Sequence, residues 1–381
     1  GLISYSLYLW HYPIFAIGRT TEFFGDGVSK KLFLITFILS LISYYLIEKP
    51  IKNKKFTKNK IFLVVSFFYL FLILVSYASI NKNIKAVRGD ILKNLSVGDQ
   101  TSNLSVCNGD KINKEGYCIF NPDKDKTLIL IGDSHMQTLE KPLLDFANKN
   151  NFRLVVLNRP TCFYFLDLDL IVKNRLSGCT AKYQEQRRKI ILSQPNATVI
   201  MGGRTHLYLS GEGFNNQEGG GDNKKAKGFF YNIKDTSLTK KDSHNVLISK
   251  SFDKTINDLL NNNINIILIY PIPEVGWNVS KKLISRLALD RDGLKGVFET
   301  NPLTTSYKVF IKRSEKIYKI YNKIDNENIT RIYPEKLLCN SLIKDRCITH
   351  DQSKVFYIDD DHLSIDGAKL IVDRIKESLL H

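Results

Sequence analysis

"LILIGDSH" occupies residues 128–135. Four branched apolar side chains in succession read as a strand covered on both faces, and the glycine after them permits a tight turn. Residues 136–150 then read as a helix, so Ser134 falls at a strand-to-helix corner. A serine there projects its hydroxyl at the sheet edge, beside backbone N–H groups able to hold an oxyanion. An ordinary reading competes, because Ser or Asp ahead of a helix is a common N-cap.

The strand reads in full as "TLILI" (127–131), and similar apolar runs follow it: "FRLVVL" (152–157), "ATVIM" (197–201), "INIILIY" (264–270) and "ITRIY" (329–333). Helical stretches such as 136–150 and 245–262 separate them, which predicts right-handed crossovers and a parallel sheet. "GEGFNNQEGGGDNKKAKG" (211–228) breaks the rhythm and reads as a surface loop. The last strand-like run, "KVFYI" (354–358), leads into "DDDHLS" (359–364) and a terminal helix. In a doubly wound sheet the site lies at the carboxyl ends of the strands, so this loop can meet Ser134. A serine needs a base to take its proton, and a histidine suits that work near neutral pH. His362 is the candidate, with Asp359, three residues earlier, placed to fix its tautomer. The run of carboxylates also offers a capping group for the helix.

The first eighty residues have another character. Uncharged runs at 2–18, 32–47 and 61–80 mark three expected membrane spans, at about 2–18, 32–50 and 61–80, each near the roughly 20 residues a bilayer needs. Residues 48–60 carry six lysines against Glu48. Short Lys-rich loops stay in the cytoplasm, so the third span runs outward as an uncleaved anchor and delivers residues 81–381 to the periplasm or exterior. An opening in the middle of an apolar helix predicts further membrane helices upstream. The division expected is 1–80 in the bilayer, 81–125 as linker and disulfide loop, and 126–381 as an exported α/β domain.

The net charge is +17 over 381 residues, but outside the lysine cluster the basic residues are scattered among Asn and Asp. No basic stripe interleaves with aromatics, which argues against a nucleic-acid partner. All six cysteines lie in the exported part. None has the close spacing of a zinc site, and an even count in an oxidising compartment favours disulfides. Sequence alone leaves several connectivities open; the sequential scheme, Cys107 with Cys118, Cys162 with Cys179 and Cys339 with Cys347, is the expected one. No metal ligand set is assigned, since His135, His206, His244 and His350 have no such spacing.

"LILIGDSH" together with "DDDHLS" resembles the SGNH hydrolase superfamily, whose first block holds the nucleophile in a GDS setting and whose last is Asp-x-x-His. The resemblance implies a three-layer α/β/α sandwich of about five parallel strands, with Ser134 as nucleophile, His362 as base and Asp359 as its orienter. "ISYSLYLWHYPIF" (3–15) and "SYYLIEKPIK" (43–52) look like the closing spans of membrane acyltransferase-3 proteins. "YPIPEVGWNV" (270–279) and "CNSLIKDRC" (339–347) resemble the exported SGNH domain fused to such proteins. That resemblance implies O-acetylation of a cell-surface polysaccharide such as lipopolysaccharide O-antigen, or of peptidoglycan. It also implies a bacterial inner-membrane location, acetyl-CoA as cytoplasmic acetyl donor to the membrane part, and no cofactor in the SGNH domain. An esterase using the same triad, or a noncatalytic glycan-binding module, would carry the same motifs. The chain departs from the SGNH pattern where "MGGRTHLYL" (201–209) stands in place of Gly-x-Asn-Asp, and no glycine follows the second strand. Gly202 and Arg204 are the candidates left for the oxyanion site.

Overall fold

The structure is a computed structural model in which the chain divides into two compact units, Gly1–Asn94 with Lys281–Val297, and Leu95–Ser280 with Phe298–His381. It describes residues 3–20, 28–53, scattered positions between 62 and 73, 105–172, 175–221, 229–232, 241–287 and 292–380.

In the first unit helix Ser4–Thr20 packs against Val28–Ser43, which continues through a π-helical turn at Tyr44–Glu48 into Lys49–Lys52. Polar side chains join the two: Trp10 Nε1 donates to Ser43 Oγ at 2.8 Å, and the Ser6 hydroxyl donates to Glu48. Phe33, Leu34, Ile38 and Ile42 face outward. Lys30–Lys52, 23 residues, is the one stretch among the described residues long and apolar enough to cross a bilayer. The span expected at 61–80 and the linker from 81 to 104 lie mostly outside the described residues.

Among the described residues the second unit carries eleven strands: β1 Cys118–Phe120, β2 Lys126–Gly132, β3 Phe152–Val156, β4 Asp169–Val172, β5 Arg175–Leu176, β6 Ala197–Gly202, β7 Phe229–Asn232, β8 Asn265–Ile269, β9 Thr304–Ser306, β10 Ile329–Ile332 and β11 Arg346–Ile348. Six form the central sheet in the order β1-β3-β2-β6-β8-β10. All neighbours in it are parallel except β1, which runs antiparallel to β3. The apolar runs pair as continuous strands because both sheet faces are buried. Ile129, Ile131, Val199, Met201, Ile266 and Leu268 pack with Ile191, Phe252, Ile256 and Ile317 from helices Ala181–Leu192, Lys241–Asn261 and Tyr307–Tyr321. The alternate residues, Leu128, Leu130 and Leu154 among them, are equally buried. Helices Glu140–Lys149 and Ile365–Leu380 pack together and against strands of the sheet, giving three layers.

Two expectations change. "KVFYI" is no sheet strand: it makes only isolated bridges, His350 to Val355 and Tyr357 to Leu363. The domain begins well before residue 126, since β1 completes the sheet edge. Buried Glu140 also accepts from Val106 N (2.8 Å), Ser105 Oγ (2.8 Å) and Asn158 Nδ2 (2.9 Å). Residues 211–221 are the surface loop expected, exposed at Glu212, Asn215 and 217–219 and tied down from beneath. Asn216, fully buried, donates to Val275 O at 3.0 Å and accepts from Gly220 N at 2.8 Å. Gly220 lies flush on an indole, where a Cβ would fall 2.4 Å from Trp277.

The cysteines pair sequentially as Cys107–Cys118, Cys162–Cys179 and Cys339–Cys347. The middle bridge closes a separation of 17 residues and sits beside Arg187, a buried guanidinium. Arg187 donates to the carbonyls of Gly132 (3.2 Å), Leu157 and Cys162 (3.2 Å), tying together the carboxyl ends of β2 and β3. Loop-closure entropy sets the bridge's worth at about 3 kcal/mol. Replacing Cys162 and Cys179 together by Ser is expected to lower unfolding stability by that amount in urea titrations.

Candidate active site

The sheet order reverses at β2: the chain goes first to β3 on one side, then crosses to β6 on the other. Ligands in open parallel sheets bind at such a switch point, beyond the carboxyl ends of the strands. "GDSH" leaves β2 there. Gly132 is required by closeness, since a Cβ would lie 2.3 Å from Gly202 O and 2.4 Å from Met136 Cγ. Asp133 is the N-cap of helix Ser134–Gln137, accepting from His135 N at 2.9 Å. Its other oxygen accepts from Arg204 N (2.7 Å) and Tyr208 Oη (2.8 Å), which ties the β2 turn to the β6 turn. Gly203 allows this approach; a Cβ there would sit 2.7 Å from Asp133 Oδ2. With Asp133 doing the capping, the Ser134 hydroxyl is left to point outward.

The loop after Ile358 brings His362 to that hydroxyl, with Nε2 2.8 Å from Ser134 Oγ across 228 residues of sequence. His362 Nδ1 lies 2.9 Å from Asp359 Oδ2 and also 2.9 Å from Asp361 Oδ1. Asp359 Oδ1 accepts from the backbone N–H of Asp361 (3.0 Å) and His362 (2.7 Å), curling the loop back on itself. The three carboxylates do not cap the last helix: Ser364 does, accepting from Gly367 N at 3.1 Å. The segment 270–280 holds the loop from behind. Val275 N (2.8 Å) and Gly276 N (3.1 Å) donate to Asp360 O, Val279 N to Asp359 O (3.2 Å), and Ser280 Oγ to Ile358 O (2.8 Å).

Behind the imidazole lies a buried charged cluster that the sequence motifs do not reveal. Asp361 Oδ2 is 3.2 Å from His135 Nε2 and 2.5 Å from Arg204 Nη1. Arg204 places Nε and Nη2 each 2.7 Å from Glu274 Oε1, and Arg313 Nε donates to Glu274 Oε2 at 2.6 Å. Burial works to raise the Glu274 carboxyl, but Arg313 and Arg204 outweigh it and hold it down at about 2. Burial pushes His206, 3.6 Å from Glu274, down to about 3, so it is neutral at physiological pH. Burial also opposes a charge on His362, yet Asp359 and Asp361 together raise its basicity well above that of a free imidazole. Asp360 is raised by burial first and then by its two carboxylate neighbours.

This arrangement corrects the expectation for Arg204. An oxyanion donor must face the atom bound to Ser134 Oγ, whereas the Arg204 guanidinium faces Glu274 and Asp361, on the Nδ1 side of the ring, and its N–H is given to Asp133. Gly202 is a packing glycine in β6, with Met136 Sδ 2.9 Å from where its Cβ would be. His135, Asp361 and His362 have ligand atoms close enough to share a metal ion, but the Arg204 guanidinium already supplies the positive charge against Asp361. A cleft of about 850 Å³, lined by Phe214, Lys312, Arg313 and Lys316 among others, includes none of the Ser134, His362 and Asp359 group. Ser134 and His362 are each only partly buried, the His362 side chain 18% exposed.

A serine at the switch point of a parallel sheet, hydrogen-bonded to a histidine that is itself bonded to a carboxylate, defines an acyltransferase or esterase of the SGNH type. The SGNH domain family, described as fused to AT3 domains, matches residues 106–377, and the chain belongs to it. Over 59 residues it is 39% identical to YrhL of Bacillus subtilis strain 168, provisionally named a peptidoglycan O-acetyltransferase; the match spans 15% of this chain and 9% of that one. Among solved structures, the periplasmic domain of a lipopolysaccharide acetyltransferase from Salmonella ser. Paratyphi A aligns with TM-score 0.47 at 16% identity, covering 77% of this chain and 98% of that one. A provisionally named acylhydrolase from Bacteroides fragilis aligns with TM-score 0.34 at 12% identity, covering 75% and 96%.

Proposed function

We propose that the chain is an O-acetyltransferase that adds acetyl groups to hydroxyls of a cell-surface or periplasmic polysaccharide, lipopolysaccharide O-antigen being one example. The observation that carries this reading is the unbroken contact chain from Ser134 Oγ to His362 Nε2, and from His362 Nδ1 to Asp359. His362 takes the Ser134 proton as Oγ attacks the acetyl carbonyl. Asp359 holds the Nδ1–H tautomer and steadies the imidazolium, and the Ser134 N–H faces the developing oxyanion. The imidazolium returns its proton to the leaving group, an acetyl-enzyme remains, and a sugar hydroxyl, deprotonated by the same imidazole, displaces Ser134. The partial exposure of Ser134 and His362 supports an acceptor that reaches them from the surface, as a polysaccharide hydroxyl would.

Family membership supports a donor path in which acyltransferase-3 helices in the bacterial inner membrane take acetyl from cytoplasmic acetyl-CoA and pass it outward. The bilayer and those helices are then the partners of this chain. The same exposure admits water, so a carbohydrate esterase is the second reading. Incubating the full protein with matched acetylated and unacetylated glycan, followed by mass spectrometry, tests both. Net acetyl gain is expected; loss of acetyl with no gain under any donor would replace the first reading by the second.

A further inference from the structure

We propose that Asp361 is a second positioning carboxylate for His362, sharing the Nδ1 proton with Asp359 and anchored from behind by Arg204 and His135. This rests on the acyl-transfer reading of Ser134 and His362. One ring nitrogen carries one proton, yet two carboxylate oxygens stand 2.9 Å from it on separate side chains. The two differ in their surroundings. Asp359 is partly exposed and spends its other oxygen on loop backbone. Asp361 is buried, and its other oxygen meets His135 and Arg204. Asp359 is therefore the local orienter, and Asp361 connects the imidazole to the charged interior.

The charges around the ring fit this role. Asp359, Asp361 and Glu274 face two guanidiniums, Arg204 and Arg313, and the buried Asp133 carboxylate, on Arg204 N, adds to the negative side, so carboxylates outnumber guanidiniums around the ring. His206 is neutral, and Tyr357, also buried in the cluster, donates its hydroxyl to Pro273 O. Asp360 adds to the negative side in proportion to its ionisation. The charges come closer to balance when His362 is protonated, as it becomes on taking the Ser134 proton in acetylation and the sugar proton in transfer, and fixed groups that favour that state lower the barrier. Arg204 has the opposite influence on the ring: it keeps Asp361 ionised and in place while opposing the imidazolium.

The test is the pH dependence of Ser134 labelling by a phosphonofluoridate, followed by mass spectrometry on the full chain in detergent. In that step the Ser134 oxygen bonds to phosphorus, fluoride leaves, and the serine proton goes to His362, so the rate rises as His362 loses its own proton. Removing a neighbouring negative charge lowers the imidazole pKa. Asp361→Asn is therefore expected to move the midpoint down by about one pH unit or more, to slow the plateau rate by about 10- to 100-fold, and to be restored toward the wild-type midpoint in Asp361→Glu. Arg204→Gln is expected to move the midpoint upward and serves if Asp361→Asn does not fold. Midpoints within about 0.3 unit of wild type in the folded variants would overturn the proposal, since removing a charge that shares the Nδ1 proton must change the imidazole pKa. Labelling that persists at an unchanged rate in Ser134→Ala would instead overturn the proposed function, a separate result.

Discussion

Ser134→Ala is expected to reduce acetyl transfer, and hydrolysis of a simple acetyl ester, by about 10⁴-fold or more, with little change in thermal stability. The division of labour at the corner is the reason. Asp133, not Ser134, caps the helix, so deleting the hydroxyl removes no cap. Ser134 Oγ meets His362 Nε2 in a partly open position where solvent can replace it. Transition-state stabilisation is lost while the fold is kept. His362→Ala is expected to cost a similar factor, and the double variant little more than either single one, because the two side chains act in one step. Enzyme assays with a chromogenic acetyl ester, alongside thermal melts, check both halves. Activity within about 10-fold of wild type in Ser134→Ala would remove the hydroxyl from the chemistry.

The parts of this site legible in sequence share one property: each is local. β2, β3, β6, β8 and β10 stand out because strands buried on both faces have continuous apolar runs, and Ser134 is placed by the corner after β2. Asp359 and His362 are three residues apart, so their pairing shows in the spacing. β1 gives too short a signal, because its three apolar residues, Cys118, Ile119 and Phe120, fall below the length at which a run reads as a strand. "KVFYI" imitates a strand because its apolar side chains fill space under a loop, not in a sheet. The charged cluster is invisible in sequence for another reason. Arg204 and Arg313 lie 70 and 39 residues from Glu274, and each alone looks like an ordinary surface charge. The histidine after the nucleophile has no evident role in the motif, since its partner Asp361 lies 226 residues away. "YPIPEVGWNV" stands out by resemblance, and its physical part, donating three backbone N–H groups to the carbonyls of Asp359 and Asp360, appears only when the chain is folded.

Glu274→Ala is expected to destabilise the domain by about 3–5 kcal/mol at neutral pH, because it leaves two guanidiniums without their shared carboxylate. The wild-type arrangement has a pH signature whose sign is set by its direction. Glu274 is held at about 2 in the fold, against 4.5 for the free side chain. Its contribution is complete above the unfolded value and is lost as pH falls through 4.5 toward 2, amounting to about 3 kcal/mol by linkage. His206 adds to the same acid sensitivity. Neutral in the fold down to about 3, it takes a proton in the unfolded chain below about 6.5, so unfolding gains from pH 6.5 downward. Urea titrations at steps from pH 7 down to pH 3 separate the two. The gap between wild type and Glu274→Gln is expected to narrow toward pH 3, whereas replacing His206 by Asn should flatten the loss that begins near pH 6. A Glu274→Gln gap that stays constant across that range would mean that packing, not charge, is what Glu274 contributes. Loss of the Glu274 charge also frees the guanidinium that reaches Asp361, so acyl transfer should fall in the same variants before the domain unfolds.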